Sequence, residues 1–198
     1  ALGDPSDLSE SECRHWQATF EYFLRGVCAA EGFRPLILKS PPHGYRLKLL
    51  QRLLPRARFV LIVRSPAVVY ESTVRMWRKL FELYSMEEIP PEEDTRRAVL
   101  EDRPRFEAKL AAGLAEVASD RLALIRYEDL VREPIGTVAA LYEQLRLDGF
   151  TRVGAAIAAS LDRSGCYSAR NATPPLQWQE RLRAEWRPIF ERYGYSAE

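Results

Sequence analysis

Two cations stand where apolar runs stop. Lys39 follows Leu36-Ile37-Leu38, and Arg64 follows Phe59-Val60-Leu61-Ile62-Val63; a serine and a proline come next in both places. Neither cation has an acidic residue beside it, so the pair suits a metal-free site for a phosphate or sulfate. Ser65-Pro66 has the form of an N-cap with proline at the first helical position. Arg64 is thereby placed at a helix N-terminus, which by itself favours an anion. Ser72 lies about two turns along that helix, roughly 9 Å from its start, and the length of the arginine side chain lets both residues converge on one anion. Arg75 is one turn beyond Ser72 and shares its face. The plain alternatives are a solvated helix serine, a surface arginine and a strand-end lysine reaching water. His43, just past Lys39-Ser-Pro-Pro, is the histidine nearest a strand end and a candidate general base. Its alternative is a polar loop histidine, and His15, in an N-terminal helix, has no comparable setting.

The elements that must hold these residues alternate. Leu36 to Lys39, Phe59 to Val63 and Leu122 to Arg126 are apolar runs without a polar alternate, the pattern of buried parallel strands. Ser9-Glu-Ser-Glu12 is a capping box opening a helix whose apolar face is Phe20, Phe23, Leu24, Val27 and Cys28. Further helices are expected from about Gly44 to Leu54, from Pro66 to about Tyr84, from about Asp94 to Ala118 with Pro104 inside, from Pro134, and near 151–162. A last helix carries Leu182, Trp186, Ile189, Phe190 and Tyr193 on one face. The acidic stretch 85–97 and residues 163–175 are expected as loops; the former could meet a basic acceptor or simply be solvated. Strand alternating with helix argues an α/β fold with a parallel sheet of at least three strands. In such sheets ligands bind beyond the carboxyl ends of the strands, where Lys39, Arg64 and Tyr127 stand.

Composition narrows the function classes. The chain has 198 residues, 46% of them apolar, enough for one domain with a sizeable core. A formal net charge of +1 excludes a nucleic-acid binder living on bulk electrostatics, so any basic site is local. Cys13, Cys28 and Cys166 are too widely spaced for a metal-ligand pattern or a disulfide framework. They fit a reducing, cytoplasmic setting. No run is long and apolar enough to span a membrane.

Four segments together resemble the sulfotransferase superfamily. They are Lys39-Ser-Pro, Arg64-x7-Ser72, Arg126-Tyr-Glu-Asp-Leu-Val131 and the tail Trp186-Arg-Pro-Ile-Phe-Glu-Arg-Tyr-Gly-Tyr195. The tail is similar to that of bacterial members related to the tyrosylprotein and heparan sulfotransferases. The resemblance implies a three-layer α/β/α sandwich related to P-loop kinases and transfer of a sulfuryl group from 3'-phosphoadenosine 5'-phosphosulfate, without metal. The acceptor would be a carbohydrate, peptide, lipid or small-molecule hydroxyl or amine. It further implies that Lys39 stabilises the leaving phosphate oxygen, that Arg64 and Ser72 bind the 3'-phosphate with Arg75 as a third contact, and that Tyr127 lies near the nucleotide. Glu128 and Asp129 would brace backbone and arginines. Residues 163–175 resemble the nucleotide-covering loop, with Arg170 in the place where a lysine or arginine is usual.

The chain departs from the family at its start. The family opens with a strand and a glycine-containing loop that cradles the phosphosulfate, and this chain has none. Gly149 and Gly154 have G-x4-G spacing but Ala155-Ala156 follow, so they form no P-loop. The expectation is that residues 1–198 are a single sulfotransferase-like domain, the C-terminal part of a longer protein. Two other readings stay open: a kinase-like phosphotransferase, which would want a Walker loop and a magnesium-holding aspartate, and a non-catalytic nucleotide-binding or interaction module.

Overall fold

The computed structural model describes residues 8–164 and 172–196, which form two compact units. The first comprises residues up to Ala57 together with Phe106–Val117, and the second Arg58–Arg105 with Ala118 onwards.

In the first unit α1 runs Glu10–Ala30 and opens on the expected capping box: the Glu12 N–H donates to Ser9 Oγ at 3.3 Å and the Ser9 N–H to Glu12 Oε2 at 2.8 Å. Its inward stripe differs from the expected one. Phe23 is 60% exposed, while Trp16 stacks on Phe20 at 4.9 Å and Leu24 is buried. Phe20, Val27 and Cys28 are half-buried as expected, so the stripe holds except at Phe23. Leu36 to Lys39 is not a strand: the segment is irregular and Ile37 is 95% exposed. A strand exists only by pairing with a neighbour, and among the described residues this segment has none. A 3₁₀ turn at Pro41–Gly44 leads into α2 (Leu47–Leu53), whose Leu47, Leu49 and Leu50 are buried. At Gly44 the chain passes so close to the Phe106 ring edge that a Cβ would force the ring to shift.

The second unit holds the sheet. Strands β1 (Phe59–Val63) and β2 (Leu122–Arg126) form where the apolar runs predict them and pair in parallel, Phe59 opposite Leu122 through Val63 opposite Arg126. The sheet has two strands among the described residues, one fewer than expected, because 36–39 does not join it. Helix α3 (Pro66–Tyr84) follows β1, and α5 (Tyr127–Arg132), α6 (Pro134–Gln144) and α7 (Phe150–Ser164) follow β2. The fold is α/β with a small parallel sheet.

Helix α4 (Glu92–Leu114) begins inside the acidic stretch expected as loop, so that only residues 85–91 connect it to α3. One of its early acids helps to hold a buried cation. Arg96 is buried and bound by Glu92 at 2.7 Å and Glu71 at 2.8 Å. Burial alone would lower its affinity for a proton, but the two carboxylates outweigh burial and raise it, so Arg96 stays charged. Pro104 does not end the helix. Having no N–H, it leaves the carbonyl four residues back without a helical partner. That carbonyl belongs to Leu100, and the Trp186 indole N–H donates to it at 2.9 Å.

Trp186 also divides the C-terminal helix, expected as one, into α8 (Leu176–Glu185) and α9 (Arg187–Arg192), with Pro188 in the first turn of α9. The residues expected inward, Leu182, Trp186, Ile189, Phe190 and Tyr193, are all buried, with Val63, Tyr70, Val74, Val99 and Leu100 in one core. The Tyr70 hydroxyl donates to the Arg96 carbonyl at 3.1 Å, and its ring meets Trp186 edge-on at 5.5 Å. This core fixes α3, and therefore the chain at Arg64.

Candidate active site

The parallel register carries on past the strands. One step beyond the aligned pair Val63 and Arg126 come Arg64 and Tyr127, and one further come Ser65 and Glu128. Both pairs meet. The Arg64 guanidinium lies over the Tyr127 ring, 4.4 Å from its centre, a contact in which the ring face attracts the cation and flattens it against the sheet end. The Ser65 N–H donates to Glu128 Oε1 at 3.2 Å. Ser65 is the N-cap of α3 but makes no side-chain cap bond, so Glu128 supplies an acceptor for its backbone instead. The other Glu128 oxygen accepts from the Tyr195 hydroxyl at 2.6 Å. Arg126 in turn lies over the Tyr195 ring at 4.3 Å.

Gly194 makes that last contact possible. It takes φ +68 just after α9, a conformation only glycine adopts without strain, and the chain turns back so that the Tyr195 N–H reaches the Phe190 carbonyl at 2.9 Å. Burial, then the Glu128 carboxylate, push the Tyr195 hydroxyl up to about 12, so it remains a donor at neutral pH. Burial would raise the Glu128 carboxyl, but the hydrogen bonds from Tyr195 and from backbone N–H groups outweigh it and hold the group below its ordinary 4.5. Asp129 pairs with Arg132 at 2.5 Å.

Along α3, Ser72 is half-buried and Arg75 is exposed. At the helix start a cleft of about 180 Å³ opens, lined by Ser65, Ala67, Gln179, Leu182, Arg183 and Phe190 among others. Among the described residues the lining side chains offer hydroxyls, an amide and a guanidinium and no carboxylate. Such a set can bind an anion or a polar edge.

The second unit thus brings Arg64 and Tyr127 together and puts Ser72 and Arg75 on the helix that Arg64 leads into. Lys39 and His43 belong to the first unit. Lys39 is exposed in an irregular segment, and His43 sits in the 3₁₀ turn with its ring edge-on to Phe20 at 6.3 Å. Burial, then the positive charge of Arg46, lower the His43 imidazole from its ordinary 6.5, and its Nδ1 is buried without a hydrogen-bond partner. The ring is neutral at neutral pH, as a proton acceptor must be. Arg170 lies outside the described residues. Sequence reasoning gives no role to Arg126, Tyr195 or Arg183. The Arg-Tyr-Glu and Tyr-Gly-Tyr segments are each recognisable in the sequence, but the contact between Arg126 and Tyr195 comes from the turn after α9, which no local pattern announces.

An α/β fold with a parallel sheet, an arginine closing one strand and an aromatic closing its neighbour, defines the class. The chain belongs to the sulfotransferase family, whose sequence model matches residues 4–152. It is 28% identical over 193 residues to omega-hydroxy-beta-dihydromenaquinone-9 sulfotransferase Stf3 of Mycobacterium bovis and to the Mycobacterium tuberculosis protein of that name. Each match covers 98% of this chain and 49% of the relative, so the chain spans about half the length of these curated relatives. Among solved structures it is similar to sulfotransferase STF9 from Mycobacterium avium, with a TM-score of 0.69 and 18% identity over 80% of this chain and 42% of that one. A sulfotransferase domain from the curacin biosynthetic pathway matches with a TM-score of 0.55 and 18% identity, over 91% of this chain and 68% of that one. These two likenesses establish the fold. Among the described residues no helix is long and apolar enough to cross a membrane.

Proposed function

We propose that the protein takes part in moving a sulfuryl group from 3'-phosphoadenosine 5'-phosphosulfate to an acceptor hydroxyl. The observation that carries this reading is the Arg64 guanidinium held on the Tyr127 ring at the start of α3. A planar fork, a helix N-terminus and a serine further along the same helix fit the 3'-phosphate end of the nucleotide. Arg75 and Arg170 would add charge around it. The bound nucleotide would supply the activated sulfuryl group.

This chain's own residues would position and neutralise, which is most of what such a transfer asks of a protein. Tyr127 orients Arg64, and Arg64 with Ser72 fixes the nucleotide's phosphate. Transfer of the sulfuryl group to the acceptor oxygen would break its bond to phosphate and leave negative charge there. Lys39 would neutralise it. The acceptor proton goes to a base, and His43, neutral at working pH, is this chain's candidate. These two roles rest on the sequence resemblance. A hydroxyl acceptor is favoured because the curated relatives are named for an omega-hydroxy compound. The family resemblance calls for no metal.

Calorimetric titration of adenosine 3',5'-bisphosphate and adenosine 5'-monophosphate tests the assignment. A charge-assisted contact is worth about 1.5–3 kcal/mol. Arg64→Ala should therefore weaken the bisphosphate at least about tenfold and leave the monophosphate nearly unchanged. Equal losses for both nucleotides would remove the 3'-phosphate from Arg64.

A further inference from the structure

We propose that Tyr195 and Glu128 are positioning residues for Arg64, and that the C-terminal tail thereby sets the geometry of the anion site. The inference rests on the reading of Arg64 as a phosphate ligand and adds what holds that ligand in place.

Arg64 and Tyr127 are single residues at the ends of two strands, each just past the last paired position. Beyond that point the ladder no longer constrains the chain. The next residues re-establish the constraint by other means. Ser65 is tied to Glu128 through its backbone N–H, so the dipeptides Arg64-Ser65 and Tyr127-Glu128 are joined twice, once by the stacked side chains and once by the carboxylate. The carboxylate itself is aimed by the Tyr195 hydroxyl at 2.6 Å. Tyr195 is fixed from both sides: the Gly194 turn returns its backbone to Phe190, and Arg126 covers its ring. The chain of contacts runs from the buried α9 to Tyr195, to Glu128, to the Ser65 N–H, to Arg64. A guanidinium whose orientation is set in advance loses less freedom when it grips a phosphate.

Tyr195→Phe removes one hydroxyl and changes neither charge nor ring. Gly194→Ala keeps every functional group, and its new Cβ meets nothing within 4 Å, so it acts only through backbone strain at the positive φ. Two readouts apply to both variants in the 198-residue chain. The first needs no ligand: side-chain protons of Arg64 lying over the Tyr127 ring are shifted upfield in the NMR spectrum, assignable by their loss in Arg64→Lys. Both variants should move that shift toward the value of an unstacked arginine. The second is the preference for adenosine 3',5'-bisphosphate over adenosine 5'-monophosphate, which should fall about three- to tenfold, the range of one ordinary hydrogen bond. A purely stabilising role for Tyr195 would lower the melting temperature and leave both readouts at their wild-type values, and that result overturns the proposal. If the wild-type chain shows no preference between the nucleotides, the phosphate reading of Arg64 falls, and the ring-current shift still decides whether Tyr195 positions Arg64.

Discussion

At the scale of the residue, His43 allows a test without substrate. Its imidazole is lowered by burial and then by Arg46, so between that depressed value and 6.5 the unfolded chain binds the proton and the folded chain does not. Stability is therefore complete above the ordinary value and is lost as pH falls through this window. Urea midpoints should be lower at about pH 5.5 than at about pH 7.5, and His43→Gln should narrow that gap. A gap of the same size in the variant would place its origin elsewhere. Lys39 needs kinetics, because it sits exposed in an irregular segment although its motif singles it out. If it neutralises the leaving phosphate, Lys39→Ala should lower kcat by about 10²–10³, the cost of losing one preorganised donor, while donor affinity changes far less. An unaltered kcat would leave it a solvated lysine. Arg64 is the converse case. Its position is legible in the sequence because its cause is local: an apolar run, a cation, then an N-cap and proline. Its stacking on Tyr127 is not legible, because it depends on the register between strands 63 residues apart, and no local pattern states that number.

At the scale of the element, boundaries set by caps and prolines are readable, and those set by packing are not. β1, β2 and α3 begin and end where the sequence says, because Ser65-Pro66 and the apolar runs act locally. The break at Trp186 has a local cause in Pro188; what escapes a sequence reading is the bond Trp186 makes there, because its partner carbonyl is freed by Pro104, 82 residues upstream. A proline in a helix frees a carbonyl, and a buried free carbonyl costs about 1–3 kcal/mol. Trp186 offsets that cost by giving its indole N–H to the Leu100 carbonyl. The pairing can be tested as a cycle. Trp186→Phe should destabilise the protein both by lost volume and by the unpaired carbonyl. In a Pro104→Ala background the substituted residue has an N–H that can take the carbonyl, so the penalty of Trp186→Phe should shrink by about 1 kcal/mol. Denaturant unfolding of the four proteins measures it, and additive effects would mean that the indole bond and the proline are unrelated. Arg96 with Glu71 and Glu92 follows the same logic with charge. Glu92 and Arg96 fall in a stretch whose composition suggests a loop, because nothing local announces that α4 will carry Arg96 to Glu71 and bury it.

At the scale of the whole molecule, the class of fold is legible from alternation alone, and the number of strands is not. Three apolar runs read alike in sequence, but only two of them pair among the described residues. What separates Leu36 to Leu38 from the others is the absence of a partner among those residues, a property of other parts of a chain and not of the run itself. The same shortage of neighbours leaves the sheet covered unevenly. Val63 is buried in the core with Tyr70 and Trp186, while Val60 is 44% exposed and Ile62 52%, and on β2 Leu124 is 51% exposed. Residues directly opposite in a parallel ladder share a face, so Val60 and Ile62 lie with Ala123 and Ile125, and Leu61 and Val63 with Leu124. Each face therefore has one more buried and one more open strand. An open apolar strand beside an unpaired edge invites association with another copy. Ile62→Thr keeps β-branching and removes apolar surface that the fold does not use. It should change the unfolding free energy by less than about 0.5 kcal/mol and reduce concentration-dependent light scattering. Val63→Ala, one position on, empties part of the core and should cost about 2 kcal/mol with no relief of scattering. If Ile62→Thr proves as costly as Val63→Ala, Ile62 is covered in solution, and the open face of β1 is where its cover must be sought.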